Sequence, residues 1–117
     1  MTRPVVSVDR VSVPPVTSDG KPVGNADGAV WYRIDYPNGE ESYMLQLFRK
    51  GEHAKTSEAA GLPRNVWGWD GKDFEHPTLS PSYLCTFPYG SYGTIRVHLF
   101  LTNGKIHLVS DSNVDAK

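Results

Sequence analysis

Two of the four histidines, His98 and His107, lie on opposite sides of an Asn-Gly turn in a segment that alternates apolar and polar residues. If that segment folds as a two-residue hairpin, both imidazoles share its polar face as diagonal neighbours, about 5 to 8 Å apart at Cβ. That spacing suits two ligands of one metal ion, with Asp111 or His76 as a third. The alternative is that both rings are solvated or hydrogen-bonded to neighbours. Because no pair of ligands shows the close spacing usual for zinc, we favour this alternative and expect no metal and no cofactor.

The same polar face carries a charged pair, Arg96 and Asp111, which the predicted strand register places opposite each other. A cross-strand ion pair of this kind contributes about 0.2 to 1 kcal/mol to stability. A substrate clamp is the other interpretation, and it requires a pocket. The candidate binding residues of this face are therefore His98, His107, Arg96 and Asp111.

Nucleophilic catalysis has little support in the sequence. Cys85 is the only cysteine, and it lies in an alternating segment where we expect it to pack as a small hydrophobic side chain. The serines lack the glycine pattern of a nucleophile elbow. Gly90 and Gly93 belong to a turn with no lysine and no helix start, so no phosphate-binding loop is indicated. The sequence therefore predicts a protein that is not an enzyme.

Two tryptophans, Trp67 and Trp69, stand in a segment rich in turn formers that runs to Ser82. We predict a structured loop that both rings pin in place, and we keep the two rings as candidate binding residues. Stacking on nucleic-acid bases requires neighbouring Lys and Arg, whereas three acidic residues lie between positions 70 and 75. The chain has a formal charge of -1, so no general field attracts nucleic acid or an anionic membrane.

Two Asn-Gly dipeptides predict two β-hairpins, because both residue types tolerate the positive φ angles of a two-residue turn. Around Asn38-Gly39 the expected core-facing pairs are Ile34 with Tyr43, Tyr32 with Leu45 and Val30 with Leu47. Around Asn103-Gly104 they are Leu101 with Ile106 and Leu99 with Leu108. A further strand is predicted over residues 81–87, and a short helix over residues 56–61. Two hairpins with one apolar face each can bury those faces against each other.

Residues 1–29 differ in composition from the rest of the chain, since they hold four of the nine prolines and none of the thirteen aromatic residues. Valines at positions 6, 8, 11 and 13 have nearly the spacing of a strand, so we predict an extended N-terminal arm at 1–29 and a β domain at 30–117. The arm either pairs as an edge strand with its own domain, which suits its prolines, or reaches a neighbouring molecule. The expected fold is mostly β, a small antiparallel sandwich or partly open barrel of five to six strands with that arm.

Length and composition limit the remaining possibilities. The 117 residues suit a single domain that buries roughly 65% of the surface of its unfolded chain. One cysteine excludes an internal disulfide. No apolar run is long enough to cross a membrane, and the N-terminus has no basic segment followed by an apolar one. We therefore expect neither a membrane span nor a signal peptide.

Five different short motifs follow one another in the C-terminal half of the sequence. They are Trp-Asp-Gly from Trp69, Pro-Thr-Leu-Ser-Pro-Ser at 77–82, His-Leu-Phe at 98–100, Gly-Lys-Ile at 104–106 and Ser-Asp-Ser at 110–112. This pattern resembles a family of small proteins from tailed phages and prophages. In that family the hairpin carries a Cys-His pair, a further Cys after the aspartate and a later His, where this chain has Val97-His98, Ser112 and Asn113. If those residues bind metal in the family, this chain keeps only His98 and Asp111. The resemblance implies a phage origin and no established activity.

The lack of a catalytic set, the arm and the resemblance together predict a non-enzymatic phage protein that works through protein–protein contacts. We expect a virion component, such as a capsid decoration or minor capsid protein, located in the virion and in the host cytoplasm during production. Its partners would be other viral structural proteins or a host protein, in a homo-oligomer or larger assembly, without nucleic acid or membrane. The alternative is a small phage accessory or counter-defence protein that binds a metal or a nucleotide.

Overall fold

The computed structural model describes residues 3–51, 66–90 and 93–117. Strands dominate this part of the chain, with one short 3-10 helix at Val23–Asn25. In chain order the strands are β1 (Val5–Ser12), β2 (Gly28–Asp35), β3 (Glu41–Lys50), β4 (Val66–Trp69), β5 (Leu79–Ser80), β6 (Tyr83–Pro88), β7 (Thr94–Thr102), β8 (Lys105–Leu108) and β9 (Asp115–Ala116). The helix predicted over residues 56–61 lies outside the described residues. Among the residues that are described, no helix has the length and apolar character needed to cross a membrane.

The strands form two sheets. Six of them, in the order β5-β4-β3-β2-β1-β9, make a sheet that curls into a half-barrel, and the other three make a sheet in the order β6-β7-β8. Most neighbouring strands are antiparallel, while β4 runs parallel to β3 and β9 runs parallel to β1. This architecture confirms the predicted mostly β fold.

The apolar inner faces of the two sheets meet in one core. From the smaller sheet, β7 contributes four side chains that are at most 2% exposed: Ile95, Val97, Leu99 and Leu101. From the larger sheet, β2 contributes three that are completely buried: Val30, Tyr32 and Ile34. Burial of a side chain of this size stabilises the fold by about 1.5 to 3 kcal/mol. Because side chains alternate along a strand, the residues of β7 between these four point to the opposite, outer face.

The second hairpin folds in the predicted register. Leu99 pairs with Leu108, and Leu101 pairs with Ile106. Asn103 and Gly104 have φ angles of 50° and 73°, the two positive values that a two-residue type I′ turn requires. The local turn chemistry was therefore sufficient to predict which residues of β7 and β8 face the core.

The predicted register of the first hairpin is wrong by one residue. Ile34 pairs with Ser42 and Tyr32 with Met44, so that Tyr43 is 49% exposed instead of buried. The reason is Pro37, which has no N–H for the ladder but whose fixed φ suits the first central position of a type I turn. The turn therefore spans Pro37 to Gly39, with Gly39 at φ 88° and its N–H donating to the Tyr36 carbonyl at 3.0 Å. A shift of one residue moves every β3 side chain to the other face.

This shift brings a polar side chain into the core. Gln46 of β3 is 1% exposed and lies opposite Val30 of β2. The hydroxyl of the equally buried Tyr32 donates a hydrogen bond to Gln46 Oε1 at 2.5 Å. Burial raises the pKa of Tyr32 well above its ordinary value, so the phenol stays protonated and remains a donor. The pair satisfies two polar atoms that would otherwise be buried without partners.

The N-terminal segment supplies β1, which pairs antiparallel with β2 along its length. The register shifts between Val8 and Arg10, where Asp9 forms a β-bulge. The extra residue changes the alternation by one, so the valines at 6, 8 and 11 all lie opposite core-facing residues of β2. The uneven valine spacing is thus explained by the bulge. Of the two interpretations of this segment, Val5–Ser12 follow the first, because they pair within their own chain.

The segment of Trp67 and Trp69 was predicted as a loop, and this prediction is wrong. Residues Val66–Trp69 form β4, which pairs in parallel with Leu47–Lys50 of β3. A four-residue strand with a central glycine has no clear alternation, and parallel neighbours are joined by a long connection, so the sequence carries no local signal for this pairing.

We expect the two single replacements in the buried Tyr32–Gln46 pair to lower the free energy of unfolding, in sum, by more than the double replacement does. Tyr32→Phe and Gln46→Leu should each lower the free energy of unfolding by about 1 to 3 kcal/mol, because each leaves a buried polar atom unpaired. The double variant should lose less than the sum of the two. Denaturant unfolding measures all three, with Tyr43→Phe on the exposed face as a near-neutral control. Strict additivity would contradict this account.

The second hairpin turn is held by a different segment of the chain. The Asn103 N–H donates to Thr78 Oγ1 at 3.0 Å, and the Gly104 N–H donates to the Pro77 carbonyl at 3.0 Å. A Cβ at Gly104 would stand 3.0 Å from His76 Cα, whereas a Cβ at Gly39 of the first turn would meet nothing within 4 Å. The two turn glycines therefore differ in their surroundings although both have positive φ.

Alanine at these two glycines should separate backbone strain from this contact. Gly39→Ala should lower the free energy of unfolding by about 1 kcal/mol, the cost of a left-handed alanine. Gly104→Ala should cost about 2 kcal/mol or more, because the backbone at His76 must also move. Thermal and denaturant unfolding of both variants give the comparison, and equal losses would argue against a docked turn.

Candidate functional site

The outer face of the β6-β7-β8 sheet brings most of the predicted site residues together. Because the inner positions of β7 are buried, Arg96, His98 and Phe100 point outward from the same strand. Leu84 of β6 pairs with His98, and His107 of β8 pairs with Phe100. The face is thus centred on His98.

His98 lies between a hydroxyl and a carboxylate. Its Nε2 is 2.9 Å from Ser82 Oγ, and its Nδ1 is 2.8 Å from Asp111 Oδ1. With Asp111 ionised, Nδ1 carries the proton and donates to it, which leaves the Nε2 lone pair to accept from the Ser82 hydroxyl. A serine, a histidine and an aspartate hydrogen-bonded in this order have the arrangement of a nucleophile, a general base and the carboxylate that orients the base.

Backbone hydrogen bonds fix His98 on both sides. Its N–H donates to Ser112 Oγ at 3.1 Å, and its carbonyl accepts from the Ser112 hydroxyl and from the Val109 N–H, both at 2.7 Å. The Asn113 N–H in turn donates to the Arg96 carbonyl at 2.9 Å. The chain that leaves β8 therefore runs back along β7, and this return places Asp111 beside the imidazole.

Ser82 is held by the larger sheet. The indole N–H of Trp67 donates to the Ser82 carbonyl at 3.2 Å, and the Trp67 ring packs edge-on against Tyr83 with centroids 4.9 Å apart. The Tyr83 hydroxyl donates to the Leu45 carbonyl of β3 at 3.1 Å. These contacts join the start of β6 to β3 and β4, and so determine where the Ser82 hydroxyl can lie.

The charges of the site favour an ionised Asp111. The pKa of its carboxyl is lowered from the ordinary value of 3.8, chiefly because His98 donates a hydrogen bond to it, and Arg96 acts in the same direction. Arg96 Nη1 is 3.3 Å from Asp111 Oδ2, so the predicted ion pair forms, but Asp111 follows β8 and does not lie opposite Arg96 in the ladder. Both side chains are more than 40% exposed, so solvent screens this pair. Its effect is mainly to hold the carboxylate in position for His98.

His98 and His107, which were considered above as possible ligands of one metal ion, do not cluster with a third ligand among the described residues. Within residues 3–51, 66–90 and 93–117, no three His, Cys, Asp or Glu side chains cluster closely enough to hold a metal ion. His107 is exposed on β8, and His76 Nδ1 lies 3.4 Å from Asp73 Oδ2. His98 instead forms hydrogen bonds with Ser82 and Asp111.

Both tryptophans pack in or against the hydrophobic core. Trp67 is 9% exposed, and its ring packs edge-on against Tyr83. Trp69 packs edge-on against Phe48 and Phe74, with ring centroids 5.3 and 5.9 Å away, and its N–H donates to the Asp73 carbonyl at 3.3 Å. The hydrogen bond from the Trp67 indole to the Ser82 carbonyl links this ring to the candidate site.

Cys85 faces away from this site. It lies on the inner side of β6 and lines a groove of about 580 Å³ together with Trp31, Tyr43 and Phe87. Burial raises the pKa of its thiol, so the thiol form dominates at neutral pH and is a weak nucleophile.

Ser82 is the residue that sequence reasoning missed. The strand over residues 81–87 was predicted, but its register against β7 was not. That register pairs Tyr83 with Leu99 and Leu84 with His98, which carries Ser82 to the position beside Phe100 and diagonal to His98. The signal in the sequence was the alternation of residues 81–87 and of β7: pairing these two patterns would have placed Ser82 near His98.

Comparison with known proteins identifies no relative: the chain matches no family model, and no curated protein or solved structure is similar to it.

The His98–Asp111 pair should make the stability of the fold depend on pH in the acid range. Because the pKa of Asp111 is lower in the folded than in the unfolded chain, the carboxylate contributes stability above about pH 4, and the contribution disappears as pH falls through the folded value. Asp111→Asn should therefore unfold at a lower temperature than the wild type at pH 5 and at the same temperature near pH 2. The exposed turn carboxyl of Glu40, replaced by Gln, is the control. A difference that persists at pH 2 would assign the effect to packing.

Proposed function

We propose that this chain is a tailed-phage protein that acts through contacts with other proteins, as a virion component such as a capsid decoration or minor capsid protein. The phage origin is implied by the motif resemblance between Trp69 and Ser112. The observation that carries a contact role is the pair of large apolar side chains on the outer face of the β6-β7-β8 sheet.

Leu84 and Phe100 are these two side chains, and they are 50% and 47% exposed. They flank His98, because Leu84 pairs with it across the ladder and Phe100 is the next outward residue on β7. The inner face of this sheet is already buried against the larger one. Single exposed apolar residues are ordinary, whereas neighbouring ones within a polar surround have the composition of an interface centre.

Polar and charged residues surround Leu84 and Phe100 and determine the charge of this face. Lys105 and His107 of β8 are exposed and border Phe100, while Asp111 is already engaged by Arg96 and His98. A partner of complementary charge would present acidic groups around an apolar centre. Other structural proteins of the particle are the partners that we propose, with the face of β6-β7-β8 turned toward them.

Particle composition tests this function. Cells that produce the phage encoding this chain would also express tagged wild-type protein or a tagged variant, and quantitative mass spectrometry of purified particles would count the copies. We expect many wild-type copies per particle. The double variant Leu84→Ser and Phe100→Ser should reduce the count about tenfold or more, because loss of a central interface side chain typically costs over 1 kcal/mol of binding.

The matched control is Val13→Ser. Val13 is 74% exposed but lies outside the β6-β7-β8 face, so its replacement should leave the copy number unchanged. Circular dichroism of each purified variant would show that folding is retained. Particles that contain no wild-type protein would contradict the proposal and favour an accessory role in the host cell.

A further inference from the structure

We propose that Ser82, His98 and Asp111 form a catalytic site for acyl transfer, in which the Ser82 hydroxyl attacks carboxylic esters that carry a small apolar acyl group. The expectation that the chain lacks a catalytic set did not include Ser82, because only the fold brings it to His98. The proposal does not rest on a role in the virion.

The geometry meets the requirement for an activated hydroxyl. A serine becomes a nucleophile when a base within about 2.6 to 3.2 Å accepts its proton and a third group orients the base. Ser82 Oγ and Asp111 Oδ1 lie on opposite ring nitrogens of His98, at 2.9 and 2.8 Å. The carboxylate selects the tautomer whose Nε2 faces the hydroxyl, and it stabilises the imidazolium that forms when the proton arrives.

Positioning residues hold each member of the array. Ser112 makes two hydrogen bonds to the backbone of His98, and Trp67 makes one to the backbone of Ser82. Arg96 occupies the Asp111 oxygen that His98 does not use. These contacts reduce the conformational freedom of the Ser82, His98 and Asp111 side chains. A catalytic site needs its groups held in position in this way before the substrate binds.

The surroundings indicate the class of substrate. The His98 side chain is 22% exposed, so Nε2 is partly shielded while Ser82 remains reachable from solvent. Leu84 and Phe100 lie on either side of the Ser82–His98 contact, and their exposed carbon surfaces can pack against a short aliphatic or aromatic acyl chain. The Asp111 carboxylate is already paired with His98 and Arg96, and a neutral ester suits this face.

The reaction balances with water as the only co-reactant. As Ser82 Oγ bonds to the carbonyl carbon of the ester, its proton passes to His98 Nε2. The bond from that carbon to the alcohol oxygen then breaks, and the departing oxygen takes the proton from Nε2. Water attacks the acyl-Ser82 ester in the same way, giving its proton to His98, and Ser82 Oγ recovers a proton as the carboxylic acid leaves.

Covalent labelling tests the nucleophile without a known substrate. Purified full-length protein would be incubated with a fluorophosphonate, which reacts with activated serines, and followed by intact mass and peptide mapping. We expect one adduct per chain, located on Ser82. Ser82→Ala should take up none, and Asp111→Asn should react about tenfold or more slowly, because its amide disturbs the tautomer of His98. The exposed Ser110, replaced by Ala, is the matched control and should react like the wild type.

Turnover of p-nitrophenyl acetate and p-nitrophenyl butyrate gives the second readout. Free imidazole hydrolyses such esters slowly, so the informative quantity is the rate that Ser82→Ala loses. We expect Ser82→Ala to lose about 100-fold or more of the rate above buffer, and Ser110→Ala to lose none. Thermal unfolding would show that both variants are folded.

Three results would overturn the proposal: no adduct on the wild type, an adduct that maps to another residue, or an ester rate that Ser82→Ala retains. Equal labelling of Asp111→Asn and the wild type would remove Asp111 from the site. The measurements use the free protein, so their outcome is independent of whether the chain is found in particles.

Discussion

Strand β2 is hydrogen-bonded on both sides along its length, and the rest of the fold depends on that double pairing. Its inward residues Val30, Tyr32 and Ile34 are fully buried under the smaller sheet. The register on one side, with the bulge at Asp9, determines which valines of β1 face the core. The register on the other side determines that Gln46 is buried and Tyr43 exposed. An error in either pairing would expose apolar side chains on one of the two neighbouring strands.

What could be predicted from the sequence follows from how local each signal is. The second hairpin was predictable because Asn103 and Gly104 select a two-residue turn by themselves. The first was predicted one residue out of register, since Pro37 competes for the turn and changes its length. The parallel pairing of Trp67 with β3 joins segments far apart in the chain, and no short pattern encodes it. Propensity and alternation thus sufficed for the fold class but not for long-range register.

The candidate site divides along the same line. His98 and Asp111 belong to one hairpin and its return, so their proximity could be predicted, and the ion pair of Arg96 with Asp111 came with it. Ser82 immediately precedes β6, and the pairing of β6 with β7, which only the fold shows, brings it beside His98. The outer face of the three-stranded sheet therefore combines two properties: apolar side chains suited to a contact, and a hydrogen-bonded serine suited to chemistry. Both are presented by strands whose inner side chains are immobilised in the core.

A hairpin tip is usually the place where a protein accepts extra residues during evolution, because nothing else is attached to it. The tip at Asn103 and Gly104 is bonded to Pro77 and Thr78, a few residues ahead of Ser82. An insertion there would detach the segment that leads into β6, and the displacement would travel along the backbone to the serine. Length variation among natural or designed versions of this chain should therefore concentrate at the first turn, where a Cβ added at Gly39 would meet nothing within 4 Å, and spare the opposite turn.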